Sequence, residues 1–296
     1  MNRTLQPART LLAIGLLGLG VLALVYHDFA LDWQPVPLWV PGRTFLAYGS
    51  SVLMLACSAG VLFRSTAVWA VRILFPYLFL WMLLKVPLLF AAPGMEAVWL
   101  GFGEVVMLMT GGWILWAIAE KVPPGCILAP IAGYRGLQRA LVAFGLALLP
   151  VGLSHLAYVP ETVGLVPAWM PVRNFWAYLT GVGQFACGLG ILFRIFPPVA
   201  AWCETAMVNL FTLLVWLPFV VAKPTDRGSW TGFFISWTIG SSAWIVAQQE
   251  GTLLGIERTT IGILRINVRD YSSRRYSLRR NAFGVMPNFL RKAKVR

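Results

Sequence analysis

The chain has 296 residues, of which 58% are hydrophobic and 12% charged, with a mean hydropathy of +0.73. Soluble domains carry about 25% charged residues, so a soluble globular fold is excluded. The 14 Trp and 18 Phe likewise exclude a disordered or low-complexity chain. The apolar residues fall in blocks of about 20 or more without polar alternation, which fits membrane-crossing helices and not the strands of a barrel.

In chain order the sequence predicts eight spans: Ala8–Tyr26, Arg43–Phe63, Ala67–Phe90, Ala97–Ala119, Leu137–Tyr158, Arg173–Phe193, Val199–Ala222 and Trp230–Gln249. A backbone inside hydrocarbon must satisfy its own hydrogen bonds, so each span is read as helix. The interior prolines Pro76, Pro87, Pro150 and Pro218 predict kinks. No small-residue cleavage site follows the first span, which is read as a retained helix and not a signal peptide. Cys57 and Cys187 fall mid-span, Cys203 early in a span and Cys126 in a loop, with no C-x-x-C among them. They read as small apolar side chains, not as a disulfide framework or redox pair. The fold class expected is an all-α integral membrane protein with eight transmembrane helices.

Basic residues set the orientation. Arg3, Arg9, Arg64, Arg72, Lys121, Arg135, Arg139, Arg194 and the basic residues after Gly251 lie on one side, nineteen of the 24 Lys and Arg in all. Arg43, Lys85, Arg173, Lys223 and Arg227 lie on the other. The positive-inside rule then places both termini in the cytoplasm, in a bacterial-type inner membrane. Most of the net charge of +13 sits in the tail, residues 251–296, where Tyr271, Tyr276, Phe283 and Phe289 alternate with the basic residues. Such a segment is drawn to anionic lipid headgroups or docks on a partner, and nucleic-acid binding is not the reading it supports.

The sequence is internally duplicated. Residues 36–64 match 166–194 at a constant spacing of 130, with 15 of 29 positions identical. Ala56-Cys57-x-x-Gly60-x-Leu62-Phe63-Arg64 returns as Ala186-Cys187-x-x-Gly190-x-Leu192-Phe193-Arg194. At a spacing of 131, Pro87, Pro93, Trp99, Gly101 and Phe102 return as Pro218, Pro224, Trp230, Gly232 and Phe233. Two four-helix units follow, residues 1–120 and 137–250, joined by a Pro- and Gly-bearing cytoplasmic linker, 121–136, and followed by the basic tail. An even number of spans per unit gives parallel repeats, two four-helix bundles side by side about an axis along the membrane normal. Gly181, Gly183, Gly188 and Gly190 are expected at close helix contacts.

Certain cues recur once per unit. They are His27 and His155 at the end of the first helix, and the loops Val36-Pro37-x-Trp39-x-Pro41 and Val166-Pro167-x-Trp169-x-Pro171. Pro87 and Pro218 in the third helix and Trp99 and Trp230 opening the fourth complete them. This pattern resembles the DoxX/DoxD-like family of four-helix membrane proteins over about 250 residues. The resemblance implies membership of a membrane redox complex, as with the family's thiosulfate–quinone oxidoreductase subunit. The histidine of the family pattern two residues before the third-helix proline is replaced by Lys85 and Trp216. The acidic residue five after the fourth-helix Trp is Glu104 in the first half and Ile235 in the second.

Ionisable groups are costly inside a bilayer, so each marks a candidate site. His27, Lys85 and Glu104 belong to the outer half of the first unit, and a Lys85–Glu104 pair beside His27 would form a polar pocket. It would suit a quinone head group or small anion, with His27 carrying protons. In the structural alternative, Lys85 snorkels to the interface and neutralises Glu104. Ligand-binding candidates are Trp39, Arg43, His155, Trp169 and Arg173. The two Trp-Pro loops are expected to lie flat as lids. Arg43 and Arg173 are expected to hold them through backbone carbonyls or acids such as Asp32 and Glu161. His27 and His155 are the only histidines, too few for a zinc set and outside any C-x-x-C-H, so metal is not expected and haem is disfavoured. Glu204 and Asn209 lie inside the seventh span, where Arg194 or Arg72 at the same depth would make a structural ion pair; the alternative is a carboxylate that carries protons or cations.

The reading these features favour is an integral subunit or accessory protein of a larger, redox, membrane complex, without chemistry of its own. The alternatives are a quinone-linked oxidoreductase component acting at His27, Lys85 and Glu104, and a carrier of a small lipophilic or anionic solute. No nucleotide, hydrolase or zinc-protease motif is present.

Overall fold

The computed structural model describes residues 5–31, 33–120, 122, 123, 125–253 and 255; Asp32, Lys121 and the tail beyond residue 255 lie outside them. Hydrocarbon leaves a backbone no partner but itself, and the described residues are accordingly helical, with no strand among them. The helices are α1 (Gln6–Val25), α2 (Arg43–Leu62), α3 (Ala67–Ala91), α4 (Glu96–Ala119), α5 (Gly133–Ala157), the short α6 (Val159–Leu165) and α7 (Arg173–Leu192). Next, α8 (Pro197–Phe211) runs through a π-helical stretch, Thr212–Trp216, into α9 (Leu217–Ala222). Residues 227–253 form the last helix, α10. Seven stretches, α1 to α5, α7 and the continuous Pro197–Ala222, are long and apolar enough to cross a membrane by length and composition. Their ends fall within a few residues of the first seven of the eight spans read from hydropathy.

In the first half α1 packs on α2, α2 on α3 and α3 on α4; in the second α5 packs on α7 and α7 on α8. Two further contacts join the halves. One is α4 against α5. The other is its counterpart, α10 against α1, where Gly15 and Gly18 make room for Thr238 and Phe234 and Trp237 Nε1 donates to Leu11 O at 2.8 Å. Between these seams α4 meets α10 at Gly111, where a Cβ would lie 2.4 Å from Ser242 Oγ. A side chain at position 111 would displace the Ser242 hydroxyl, so glycine lets the two helices close on one another. Residues 111 and 242 are counterparts at the spacing of 131.

The expected glycine contacts hold at three of four positions. A Cβ on Gly181 would lie 2.8 Å from Leu156, one on Gly188 2.9 Å from the Gly145 carbonyl, and one on Gly190 2.9 Å from Ala200. Gly183 has ordinary contact with Met207, its sulfur 3.5 Å away. Close approach without side chains is the usual basis of helix association in lipid.

The spacing of the repeat changes from 130 to 131 inside the seventh span, and the structure gives the cause. Ala67–Ala91 has 25 residues, and Pro197–Ala222 has 26. The additional residue is accommodated as the π-helical turn Thr212–Trp216, the usual fate of a single insertion in a helix. Pro218 follows in the first turn of α9. Pro76, Pro87 and Pro150 lie within continuous α-helix.

The outer loop of the second half contains a helix that hydropathy does not reveal, α6, with Pro160 in its first turn and Glu161 beside it. Proline at the start and an acid in the first turn are its sequence signal. A left-handed residue precedes both α2 and α7, at counterpart positions: Gly42 with φ +66° and Val172 with φ +52°.

Candidate functional site

Lys85 lies in the last third of α3 and is buried, with 6% of its surface exposed. Its Nζ donates to the Gly101 carbonyl of α4 at 2.8 Å, one helical turn before Glu104. Gly101 makes this seat possible, since a Cβ there would stand 2.9 Å from Nζ. The side chain therefore turns into the bundle instead of snorkelling to the interface. In the second half Trp216 rests against Gly232, with ring atoms 2.2 to 2.4 Å from where a Cβ would be. The same slot thus holds an ammonium in one half and an indole in the other.

His27 leaves α1 with φ +53° and is exposed. Its Nδ1 is hydrogen-bonded to Tyr48 OH at 2.6 Å, with the rings edge to face. The structure thus brings Lys85 to the helix of Glu104 and turns His27 towards α2.

A buried polar cluster in the same half escaped sequence reasoning. Gln34 Nε2 donates to Ser50 Oγ at 3.1 Å and to Tyr77 OH at 2.8 Å, while its Oε1 accepts from the Ala30 amide at 2.8 Å. Trp81 covers the cluster, with Phe29, Trp33 and Tyr77 packed edge to face on its ring. Polar Ser50 and Tyr77 inside apolar spans were the available signal. Trp33 is the tryptophan that lies over the first bundle, at 1% exposed. Trp39 and Trp169, at 79% and 72% exposed, point away from the helices.

The two loop arginines act as expected. Arg43 Nε donates to Val36 O at 3.1 Å, and Arg173 Nε to Val166 O at 3.0 Å. Arg173 also reaches Val163 O, in place of Glu161. The acid bound to Arg43 is Asp28. Asp28 also faces Arg227 at 3.5 Å, and Arg227 Nη2 donates to Phe29 O at 2.6 Å. Tyr26 OH donates to Thr225 O at 2.9 Å alongside. Partial burial works against the Asp28 charge, but the Arg43 hydrogen bond, the Phe29 amide and the charges of Arg43 and Arg227 outweigh it. Together they hold the carboxyl below the usual range. Asp28 is therefore a clasp between the first and second halves.

The second half carries a different polar line. His155 Nδ1 lies 3.4 Å from Thr162 Oγ1, and its ring packs on Phe211. His155 also faces Gln184 of α7. Gln184 Nε2 donates to Glu204 Oε1 of α8 at 3.3 Å. Glu204 is fully buried and Gln184 is 2% exposed. The expected ion pair to Glu204 is not formed: Arg72 binds Glu120, and Arg194 binds Glu250. Both acids end their units, so each arginine finds a partner at the helix terminus, shallower than Glu204. Asn209 donates to Thr205 O within its own helix. All four cysteines are free thiols, and among the described residues no three His, Cys, Asp or Glu side chains are placed to hold a metal ion.

Counterpart residues make counterpart bonds elsewhere. Trp99 Nε1 donates to Pro93 O at 2.9 Å and Trp230 Nε1 to Pro224 O at 2.8 Å. No family model, no characterised protein and no solved structure matches the chain.

Proposed function

We propose that this chain is a DoxX/DoxD-like inner-membrane protein that serves as an integral subunit or accessory protein of a larger redox complex. In this reading it has eight transmembrane helices in two parallel four-helix repeats, with both termini and the basic tail in the cytoplasm. The helical residues 227–253, the meeting of counterparts Gly111 and Ser242, and the matching Arg–carbonyl and Trp–carbonyl bonds support the repeat arrangement. The observation that carries the subunit reading is the outward exposure of Trp39 and Trp169 at counterpart loop tips. An exposed tryptophan at each outer loop is an anchor offered to a partner or to the headgroup layer. The redox setting rests on the resemblance.

The test is purification in mild detergent, followed by mass spectrometry and an absorption spectrum of what accompanies the protein. Stoichiometric partners that are lost on Trp39→Ala/Trp169→Ala or on deletion of residues 257–296 are the expected result. A solitary protein carrying bound quinone or a haem band would overturn it.

Buried Lys85 favours a second reading, a quinone-linked component. A buried ammonium resting against the helix of Glu104, with Trp81 one turn before it on α3, is suited to an anionic or carbonyl oxygen. That reading expects Lys85→Met and Glu104→Gln to abolish quinone reduction in a protein that still assembles.

A further inference from the structure

In the second half, two buried oxygen atoms have no hydrogen-bond partner: Glu204 Oε2 and Gln184 Oε1. Both side chains are more than nine-tenths buried and already touch through Gln184 Nε2 and Glu204 Oε1. An ionised carboxylate at this depth, without a cation, costs several kcal/mol. No basic side chain acts on Glu204; Gln184 is its hydrogen-bond partner. Of the arginines on and beside the surrounding helices, Arg139 donates to Pro130 O, Arg173 to Val166 O and Arg194 to Glu250. On α7, Cys187 is the titratable neighbour, and Cys203 is that on α8 itself. On α5, His155 stands beyond Gln184. On α10, residues 231–249 carry no charge, and Glu250 at the end pairs with Arg194.

Glu204 Oε2 is a buried acceptor without a donor, while Gln184, already bonded to Oε1, faces His155 on its other side. A proton on the carboxyl removes the charge and supplies the missing donor together. With the amide of Gln184 turned over, an O–H of Glu204 would donate to Gln184 Oε1; oxygen and nitrogen of such an amide are interchangeable assignments. His155 then stands next in line, with Thr162 behind it, and the π-helical turn lies on the same side of Glu204, beginning next to Phe211, which packs on His155. Such turns recur at functional sites because they free backbone geometry.

We propose that Glu204 is a proton-binding carboxyl within the membrane, loaded and unloaded through Gln184 and His155 from the α5 end of the second bundle. The step is a simple transfer. A proton passes from the imidazolium of His155 to Gln184 Oε1 as one on Nε2 passes to the carboxylate of Glu204, and the imidic acid so formed on Gln184 reverts to the amide, with no electron moved. The counterparts of Gln184 and Glu204 in the first half are Met54 and Leu74, so the site belongs to the second half alone. It goes beyond the subunit reading and stands or falls apart from it.

The test uses the full chain in lipid nanodiscs, by infrared difference spectroscopy in light and heavy water. At neutral pH the wild type minus Glu204→Gln difference is expected to show the carbonyl band of a protonated acid. A hydrophobic carbodiimide is expected to modify Glu204 in the unmutated protein, which needs no variant to fold. Deuterium exchange into that band should slow several-fold in Gln184→Leu and in His155→Phe. A difference showing carboxylate bands only, with no carbodiimide adduct, overturns the site. A band displaced by sodium and insensitive to pH makes it a cation site and likewise overturns the proposal. An exchange rate unchanged in both relay variants overturns the route.

Discussion

Lys85 and Trp216 occupy the same seat in the two halves of the molecule, each against a glycine of the following helix, Gly101 and Gly232. The contacts differ in compliance. A methyl added at Gly101 meets the end of a flexible side chain, whereas one added at Gly232 meets a rigid indole at 2.2 Å. Gly232→Ala is therefore expected to destabilise the protein by about 1–3 kcal/mol through overpacking, and Gly101→Ala by less. Thermal unfolding of both variants in the same detergent checks the order.

The π-helical turn yields a second expectation. Removing one residue from Thr212–Trp216, such as Leu214, converts the turn to regular helix and leaves both flanks in phase. That deletion is expected to preserve assembly. Deleting Phe79 from α3 instead rotates everything after it by about 100° and carries Lys85 off Gly101. Size-exclusion profiles of the two deletions should separate them clearly.

Asp28 gives a pH dependence whose sign is fixed. Its folded-state carboxyl titrates below the ordinary value, so the clasp to Arg43 and Arg227 contributes fully above the unfolded value, about 3.9. The contribution falls away as pH drops through the lower folded value. The gap in melting temperature between wild type and Asp28→Asn should be present at pH 6 and close below about pH 4. A gap that widened on acidification would contradict the clasp.

Val172 stands at φ +52° where its counterpart is Gly42, and it is 72% exposed. A β-branched residue in the left-handed region carries about 1–3 kcal/mol of strain. Val172→Gly relieves it while losing little packing, so the variant is expected to melt higher by an amount worth about 1 kcal/mol. An unchanged or lower melting temperature would show that the strain is absorbed elsewhere, for instance by the hold of Arg173 on Val163 and Val166.

Seven helices long and apolar enough to cross a membrane could be read from the sequence because hydrocarbon imposes a length and a composition at once, and their ends moved by only a few residues. The Arg43 and Arg173 bonds recur because the two loops carry the same residues at the same spacing. Pairings at depth were not legible. Arg72 and Arg194 were expected at Glu204, but hydropathy does not resolve the turn or so that separates Glu204 from the helix ends carrying Glu120 and Glu250. The Gln34–Ser50–Tyr77 cluster was invisible because its members come from a loop and two spans, and only the fold joins them. The rule that long side chains snorkel failed at Lys85 because a glycine on the facing helix offered a nearer acceptor than water.

The contact of Gly111 with Ser242 has a consequence for ancestry. A residue that meets its own counterpart is the signature of an isologous, two-fold interface. A single unduplicated unit carrying that face would join a second copy of itself, and fusing the two genes would lock in the pair. In such a fused pair neither copy would be obliged to match the other, and the two halves do differ, with Lys85 opposite Trp216 and Leu74 opposite Glu204.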